Sequence, residues 1–305
     1  MFSRACILGF LFGLFCLAAL VFASTAPVQG QTQNCTLPPL ENPLALLVEN
    51  QVMEATALIE EIGEPAFDQF RVEGSKWRQG DYYIFVMTMD GWEIVNPPFP
   101  RLEGKNLFDM LDAQFKPFAR WMMQEASGPA GQGWTHYKWP KPGETEPSWL
   151  TCFIKRVTSP SGISYIVGSG AYDMQPEKAF IVDQVRDAAQ LFQSRGEAAF
   201  DVIRDKSSEF LFRDTFIFIT DEFGNEIVNP AFPIMEGHNL SQIKDVDGKF
   251  LVQEYIREAR EKGEAWVSYR WIKPGSNEPV AKDVFVKGIT VAGKFYVVGS
   301  GIYKN

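Results

Sequence analysis

Apolar residues recur at helical spacing in two stretches of the chain. Leu44, Leu47, Val48, Val52, Ala55, Ile59 and Ile62 fall on one face of a helix, and Ile181, Val185, Ala188, Phe192 and Ala199 on one face of another. After each stretch the period changes to two. "DYYIFVMTMDGWEIVNP" (81–97) and "DTFIFITDEFGNEIVNP" (214–230) each read as two strands around a turn, at Asp90-Gly91 and at Phe223-Gly224-Asn225. A Pro-rich loop follows, and then a helix from about Leu107 to Ala126, or from Leu240 to Lys262. Three more strands close each run: "GWTHYKW" or "AWVSYRW", "WLTCFIKRV" or "DVFVKGI", and "SYIVGSG" or "KFYVVGSG". The predicted order is helix, two strands, helix, three strands. Short turns between strands predict an antiparallel sheet with helices on one side, an α+β fold.

This order occurs twice because the chain repeats itself. "GWEIVNPPFPRLEGKNL" (91–107) and "GNEIVNPAFPIMEGHNL" (224–240) match at 12 of 17 positions. Upstream, "GEPAFD" (63–68) answers "GEAAFD" (196–201). Downstream, "YKWPKPGETEP" (137–147) answers "YRWIKPGSNEP" (269–279), and "VGSGAY" (167–172) answers "VGSGIY" (298–303). A period of roughly 130 residues exceeds the 20–50 of solenoids and propellers and matches a small domain. The reading is two tandem domains, 40–175 and 176–305, the second entered through a helix from about Glu177 to Phe200.

The N-terminus changes the expected compartment. Residues 5–23 are uninterrupted apolar, preceded by Arg4 and followed by small residues, the pattern of a secretory signal peptide over 1–26 with a linker over 27–39. The alternative is an uncleaved anchor facing outside, since a bilayer span needs about 20 apolar residues. Either places the rest of the chain outside the cytoplasm, periplasmic or secreted. Loss of the leader removes Arg4 and no acid, leaving 28 basic against 38 acidic residues. That balance, without a basic run, excludes nucleic acid as a partner. Cys6 and Cys16 leave with the leader. Cys35 and Cys152 permit one disulfide, although Cys152 aligns with Val284 and fits a small apolar strand position equally well.

Catalysis finds little support. The two histidines, His136 and His238, are not at equivalent repeat positions, and no metal-protease, CxxC, phosphate-loop or nucleophile-elbow motif is present. Ser169 and Ser300 in "VGSG" lack an elbow's spacing. No enzyme and no cofactor are therefore expected.

Binding finds more. Strand alternation puts Thr135, Tyr137 and Trp139 on one face, with His136 and Lys138 on the other; Val267, Tyr269 and Trp271 group in the same way. A phenol beside an indole gives an apolar wall with polar tips, suited to a small polar ligand. Lys155 and Lys287 lie mid-strand, two residues after Phe153 and Phe285. Either they point inward and need a counter-charge, or their heads snorkel to solvent. Asn96 and Asn229 end the second strand before proline, and Asn106 and Asn239 fit as N-caps of the following helix. The loop explains itself structurally, and it can also bring Asn96 and Asn229 to the mouth of the sheet.

"GWEIVNPPFPRLEGKNLFD", "GWTHYKWPKPGETEP", "FIKRV" and "YIVGSGAY", in that order, resemble the extracytoplasmic Cache sensor domains, over almost all of both copies. The resemblance implies a PAS-like antiparallel sheet flanked by helices, with a long N-terminal helix. It also implies recognition of small molecules, commonly organic acids or amino acids. By it, Asn96, Tyr137, Trp139 and Lys155 line one pocket, and Asn229, Tyr269, Trp271 and Lys287 the other. Two departures stand out. Asn96 and Asn229 replace the histidine that the family often carries before this proline, and a sensor without its own output module after Asn305 is expected. The resulting expectation is a binding protein that acts with a membrane-bound signalling partner. The alternative is a ligand-free docking module.

If the leader is cleaved, intact mass will place the mature N-terminus between Ser24 and Gln31. Retention of Met1 in a membrane fraction would indicate the anchored form.

Overall fold

The computed structural model describes residues 37–304. The leader, its cleavage site and any Cys35–Cys152 pairing lie outside the described residues. Among the described residues, no helix is long and apolar enough to cross a membrane.

Copy one opens with α1 (Pro43–Ile62). Asn42 caps it by accepting the Leu44 N–H at 2.9 Å, and Pro43 supplies a preset first turn. Its buried stripe is Ala45, Val48, Val52, Ala55 and Ile59, whereas Leu47 and Ile62 face solvent. There follow α2 (Ala66–Phe70), the short pair β1 (Arg78–Gln79) and β2 (Tyr82–Tyr83), β3 (Phe85–Thr88), β4 (Glu93–Val95) and α3 (Phe118–Ser127). β5 (Gln132–Pro140), β6 (Pro147–Thr158) and β7 (Ser164–Tyr172) close the copy.

Copy two repeats the order. It runs α4 (Lys178–Arg195), α5 (Ala198–Arg204), β8 (Leu211–Phe212), β9 (Thr215–Phe216), β10 (Phe218–Asp221), β11 (Glu226–Val228) and α6 (Leu251–Lys262). It ends with β12 (Glu264–Ile272), β13 (Pro279–Val291) and β14 (Lys294–Tyr303). The two main sheets stay separate, ordered β4-β3-β7-β6-β5 and β11-β10-β14-β13-β12, and every pairing is antiparallel.

The helices do not gather on one side, as the strand pattern had suggested. Val48 and Val52 of α1 share a core with Trp134, Phe153 and Val167 on one sheet face. Phe118 and Met122 of α3 pack with Tyr137, Ile154 and Ile166 on the other. The cause is legible in β6, where Leu150 to Ile154 are all buried, so neither face could be left wet. "VGSG" also finds its explanation. A Cβ on Gly168 or Gly299 would collide with the ring of Phe85 or Phe218. On the opposite face Ser169 donates to Gln51 of α1 at 2.5 Å, and Ser300 to Gln184 of α4 at 3.0 Å.

The helices expected from Leu107 and Leu240 begin only at Phe118 and Leu251. Asn106 and Asn239 are therefore not helix caps; their side chains accept from Phe108 N and Ser241 N in local turns. Pro117 bars helix in the residue before it. In both copies an aspartate organises the loop instead. Asp112 accepts from Lys116 N and Lys138 N, and Asp245 from Lys249 N and Arg270 N. Each loop needs a left-handed residue, at Phe115 (φ 63°) and at Gly248 (φ 83°).

Between the copies, Lys116 is fully buried and its ammonium donates to the Ser208 and Leu211 carbonyls at 2.5 and 2.8 Å. His136 stacks on Phe212 with ring centroids 4.0 Å apart, and burial beside Lys116 holds the imidazole neutral, its pKa drawn down to about 3.

The Phe115 ring is 74% exposed, so little packing is lost by removing it. Phe115→Gly relieves a left-handed strain of about 1–2 kcal/mol against a chain-entropy cost of about 0.5–1 kcal/mol. Thermal melting should rise by about 1–3 °C.

Candidate functional site

The repeated loop folds around a buried carboxyl group. A bulge in the strand pairing turns Glu93 to the face of Met87 while Val95 faces the core under α1 beside Val86, and Glu226 and Val228 part in the same way beside Thr220 and Ile219. The Asn96 amide donates to Glu93 Oε1 at 2.7 Å, and the Asn229 amide to Glu226 Oε1 at 2.7 Å. A second acid, Glu103 or Glu236, accepts the backbone N–H of the same asparagine at 2.8 or 2.7 Å. An arginine then ties that acid to β4 or β11. Arg71 donates to Glu103 and the Ile94 carbonyl, and Arg204 to Glu236 and the Ile227 carbonyl. Glu93 and Glu226 were not singled out from the sequence, although alternation within "EIV" already placed them opposite Ile94 and Ile227.

Above this lock, the same sheet face carries Tyr137 and Trp139, or Tyr269 and Trp271. The structure thus brings Asn96, Tyr137 and Trp139 to one side of copy one, and Asn229, Tyr269 and Trp271 to the same side of copy two. The two places differ in filling. In copy one Phe118 stacks on Tyr137 at 4.5 Å, Phe99 stands edge-on to Trp139 at 5.8 Å, and Tyr137 Oη lies 3.4 Å from Cys152 Sγ. In copy two Leu251 takes the place of Phe118. A cavity of about 30 Å³ opens there between Asn229, Tyr269, Trp271, Leu251 and Tyr255. That is room for a couple of waters or a ligand of few heavy atoms.

Lys155 and Lys287 are not in these places. Cross-strand pairing puts Lys155 opposite Gln132 and Lys287 opposite Glu264, on the face covered by the first helix of each copy. Lys155 Nζ lies 3.4 Å from Gln132 Oε1, and Lys287 Nζ pairs with Glu264 at 3.0 Å. The cation at the cavity is Lys282, 2% exposed, directly across from Tyr269 on β12. Its ammonium lies 4.3 Å from the Phe216 ring centre and 4.5 Å from that of Tyr303. Burial draws its pKa down to about 7, opposed by Asp214 and Glu226. Period two through Val280, Lys282, Val284 and Val286 could have revealed it. The repeat hid it, because copy one carries Leu150 at this position.

Comparisons with known proteins agree with this architecture. The family model "Single Cache domain 2" matches residues 69–179 and again 193–305. The methyl-accepting chemotaxis protein McpP of Pseudomonas putida is 37% identical over 90 residues, which is 30% of this chain and 16% of that protein. The sensor histidine kinase MctS of Rhizobium johnstonii is 33% identical over 91 residues, 30% of this chain and 19% of that one. The matched stretch thus spans less than a fifth of either curated relative. Among solved structures, a periplasmic sensor domain of a chemotaxis protein is 32% identical. It covers 40% of this chain and 92% of its own, with a TM-score of 0.35.

The buried carboxyl groups make stability depend on pH. Desolvation pushes Glu93 up to about 8, with Asn96 opposing and Glu103 reinforcing; Glu226 rises to about 7 for the same first reason. A folded pKa above the unfolded value means that the native state holds the extra proton between about pH 4.5 and 8. Stability should therefore fall as pH rises through that window. Glu93→Gln keeps an acceptor for Asn96 and should flatten its share of the slope, by up to about 1.4 kcal/mol per pH unit. Denaturant titrations at pH 5 to 8 will read this; an unchanged slope would mean that Glu93 is ionised throughout.

Proposed function

We propose that this chain, which belongs to the single Cache domain 2 family and carries that domain twice, is an extracytoplasmic sensor that binds a short monocarboxylate in its second copy. Small-molecule sensing is the part that the family supplies; the ligand class, the copy and the residues are read from the site. One observation carries that reading. Lys282 brings an ammonium into a buried cavity, and among the described residues no carboxylate forms an ion pair or hydrogen bond with it. Asp214 is held by Lys273 at 2.7 Å, and both oxygens of Glu226 are engaged, by Asn229 and by Thr220 at 2.8 Å. A buried cation without a counter-charge is costly, and a ligand carboxylate would supply one. Tyr269 and Trp271 would wall its short apolar part, and the Asn229–Glu226 lock would close the far side. Among the described residues lining the cavity the one acid is Glu226, whose oxygens are already engaged, so nothing there meets an α-ammonium and the cavity favours simple organic acids over amino acids. Output would pass to a membrane-bound signalling partner.

Copy one supports the other reading, a ligand-free module. Leu150 replaces the cation and the Phe118–Tyr137 stack occupies the space, so its role would be packing and docking.

A ligand at a hundredfold excess over Kd stabilises the native state by about 2.7 kcal/mol. In a thermal-shift panel of short monocarboxylates and amino acids, the monocarboxylates should shift the melt and Lys282→Met should abolish the shift. The ligand-free variant should melt at or above the parent temperature, because an apolar side chain replaces a buried charge. Lys155→Met and Lys287→Met should keep the shift. A shift that survives Lys282→Met would remove the site from copy two.

A further inference from the structure

A second cavity lies between the copies and has no part in the site above. It opens where the outer edge of β5 meets α4 and the segment before β8, and it has two connected parts. An inner chamber of about 30 Å³ is lined by Trp121, Trp134 and Phe180 and by the carboxylates of Glu125, Asp183, Asp187 and Glu209. An outer groove of about 290 Å³ shares Glu125, Asp187 and Glu209 and runs on past Gln190 and Ser194. We infer that this cleft binds an organic ammonium ion, its cationic head among Glu125, Asp187 and Glu209 and its carbon stem along the indole and phenyl walls.

Three observations point to a cation of that kind. The carboxylates come from three separate elements, α3, α4 and the loop before β8, and converge only in the tertiary structure. Their charges are left uncompensated because the neighbouring cations are engaged elsewhere. Lys116 is held by the Ser208 and Leu211 carbonyls, and Arg186 binds Glu264 at 2.7 Å. His136, facing the same chamber, is neutral. Burial and mutual repulsion accordingly push Glu125 up to about 8 and Glu209 to about 7, and raise Asp183 and Asp187. Lys116 opposes the rise at Glu209, and Arg186 that at Asp183.

Second, Thr135 lines the same chamber at 4% exposure, and its hydroxyl has no hydrogen-bond partner among the described residues. A buried hydroxyl in that state has both donor and acceptor capacity unmet, and an ammonium hydrogen, which can only donate, would meet the acceptor side. Third, the walls are aromatic: Trp134 and Phe180 meet at 4.9 Å and His136 and Phe180 at 5.1 Å. Aromatic faces favour an alkylammonium over a hydrated inorganic ion. The carboxylates, moreover, do not group closely enough to form a metal site among the described residues. The outer groove adds length, which suits a linear diammonium, although Arg195 at its far rim limits how far a second positive head extends.

The test is calorimetric titration of the full chain with 1,4-diaminobutane, beside calcium chloride and the neutral 1,4-butanediol. Saturable binding of the diamine alone is expected, tightening at least tenfold from pH 6 to pH 8.5 as Glu125 and Asp187 ionise. Glu125→Gln and Asp187→Asn should each weaken it at least tenfold, and Thr135→Val severalfold. The amide variants remove mutual repulsion, so their melting temperatures should hold or rise, which separates lost binding from lost folding. Lys282→Met should leave diamine binding intact, since that residue belongs to the other site. No diamine binding, equal binding of the diol, binding undiminished in both amide variants, or saturable binding of calcium alone would each overturn the assignment.

Discussion

The contact on which each copy depends is the one between a buried glutamic acid and the asparagine three residues later. Glu93 and Glu226 sit beneath the sheet edge at 1% and 3% exposure, where an ionised carboxylate without donors would be expensive. The asparagine amide satisfies one oxygen, and the following proline stops the strand so that this amide can turn back. The second acid and its arginine then hold the chain as it leaves β4 or β11. Every repeated polar residue of the loop from glutamate to the second glutamate thus has a partner, which explains why so unusual a segment appears twice.

With the frame held in common, the divergence that bears on the cavity lies on the face above it. The exchanges there include Phe118 for Leu251, Leu150 for Lys282, Cys152 for Val284 and Met122 for Tyr255. The first removes a ring and opens space, and the second puts a charge at its edge. Together they turn a packed aromatic cluster into a cavity with a cation. The backbone need not move for this, because side-chain volume and charge suffice.

The copies also create something that neither has alone. Lys116 reaches across to carbonyls of the second copy, and His136 and Trp149 grip Phe212. These contacts hold β5 against the segment around β8, Trp134 and His136 meet Phe180 of α4, and acids from both copies are enclosed in one cleft. Occupancy of such a cleft would bear on how firmly the copies are held together.

The amino-acid pattern alone determined the repeat, the two long helices, the antiparallel sheet and the pairing of Tyr137 with Trp139 and of Tyr269 with Trp271. All of these are local periodicities, in which a residue's neighbours at i+2 or i+4 fix its side. It also yielded Asn96 and Asn229, because proline and asparagine constrain the backbone wherever they occur. Which face of the sheet lies over the cavity is a different kind of fact. Period two separates Lys282 from Lys287 and says nothing of which helix covers either, so it could not tell that Lys287 pairs with Glu264 under α4 while Lys282 lines the cavity. The helix expected from Leu107 failed for a similar reason. There Pro117 and the Asp112 hydrogen bonds, one of them to a distant strand, set the backbone instead. Glu125, Asp187 and Glu209 are scattered through the sequence and meet only because α3, α4 and the loop before β8 pack at one edge. Long-range packing decides which charges become neighbours, and no local period encodes it.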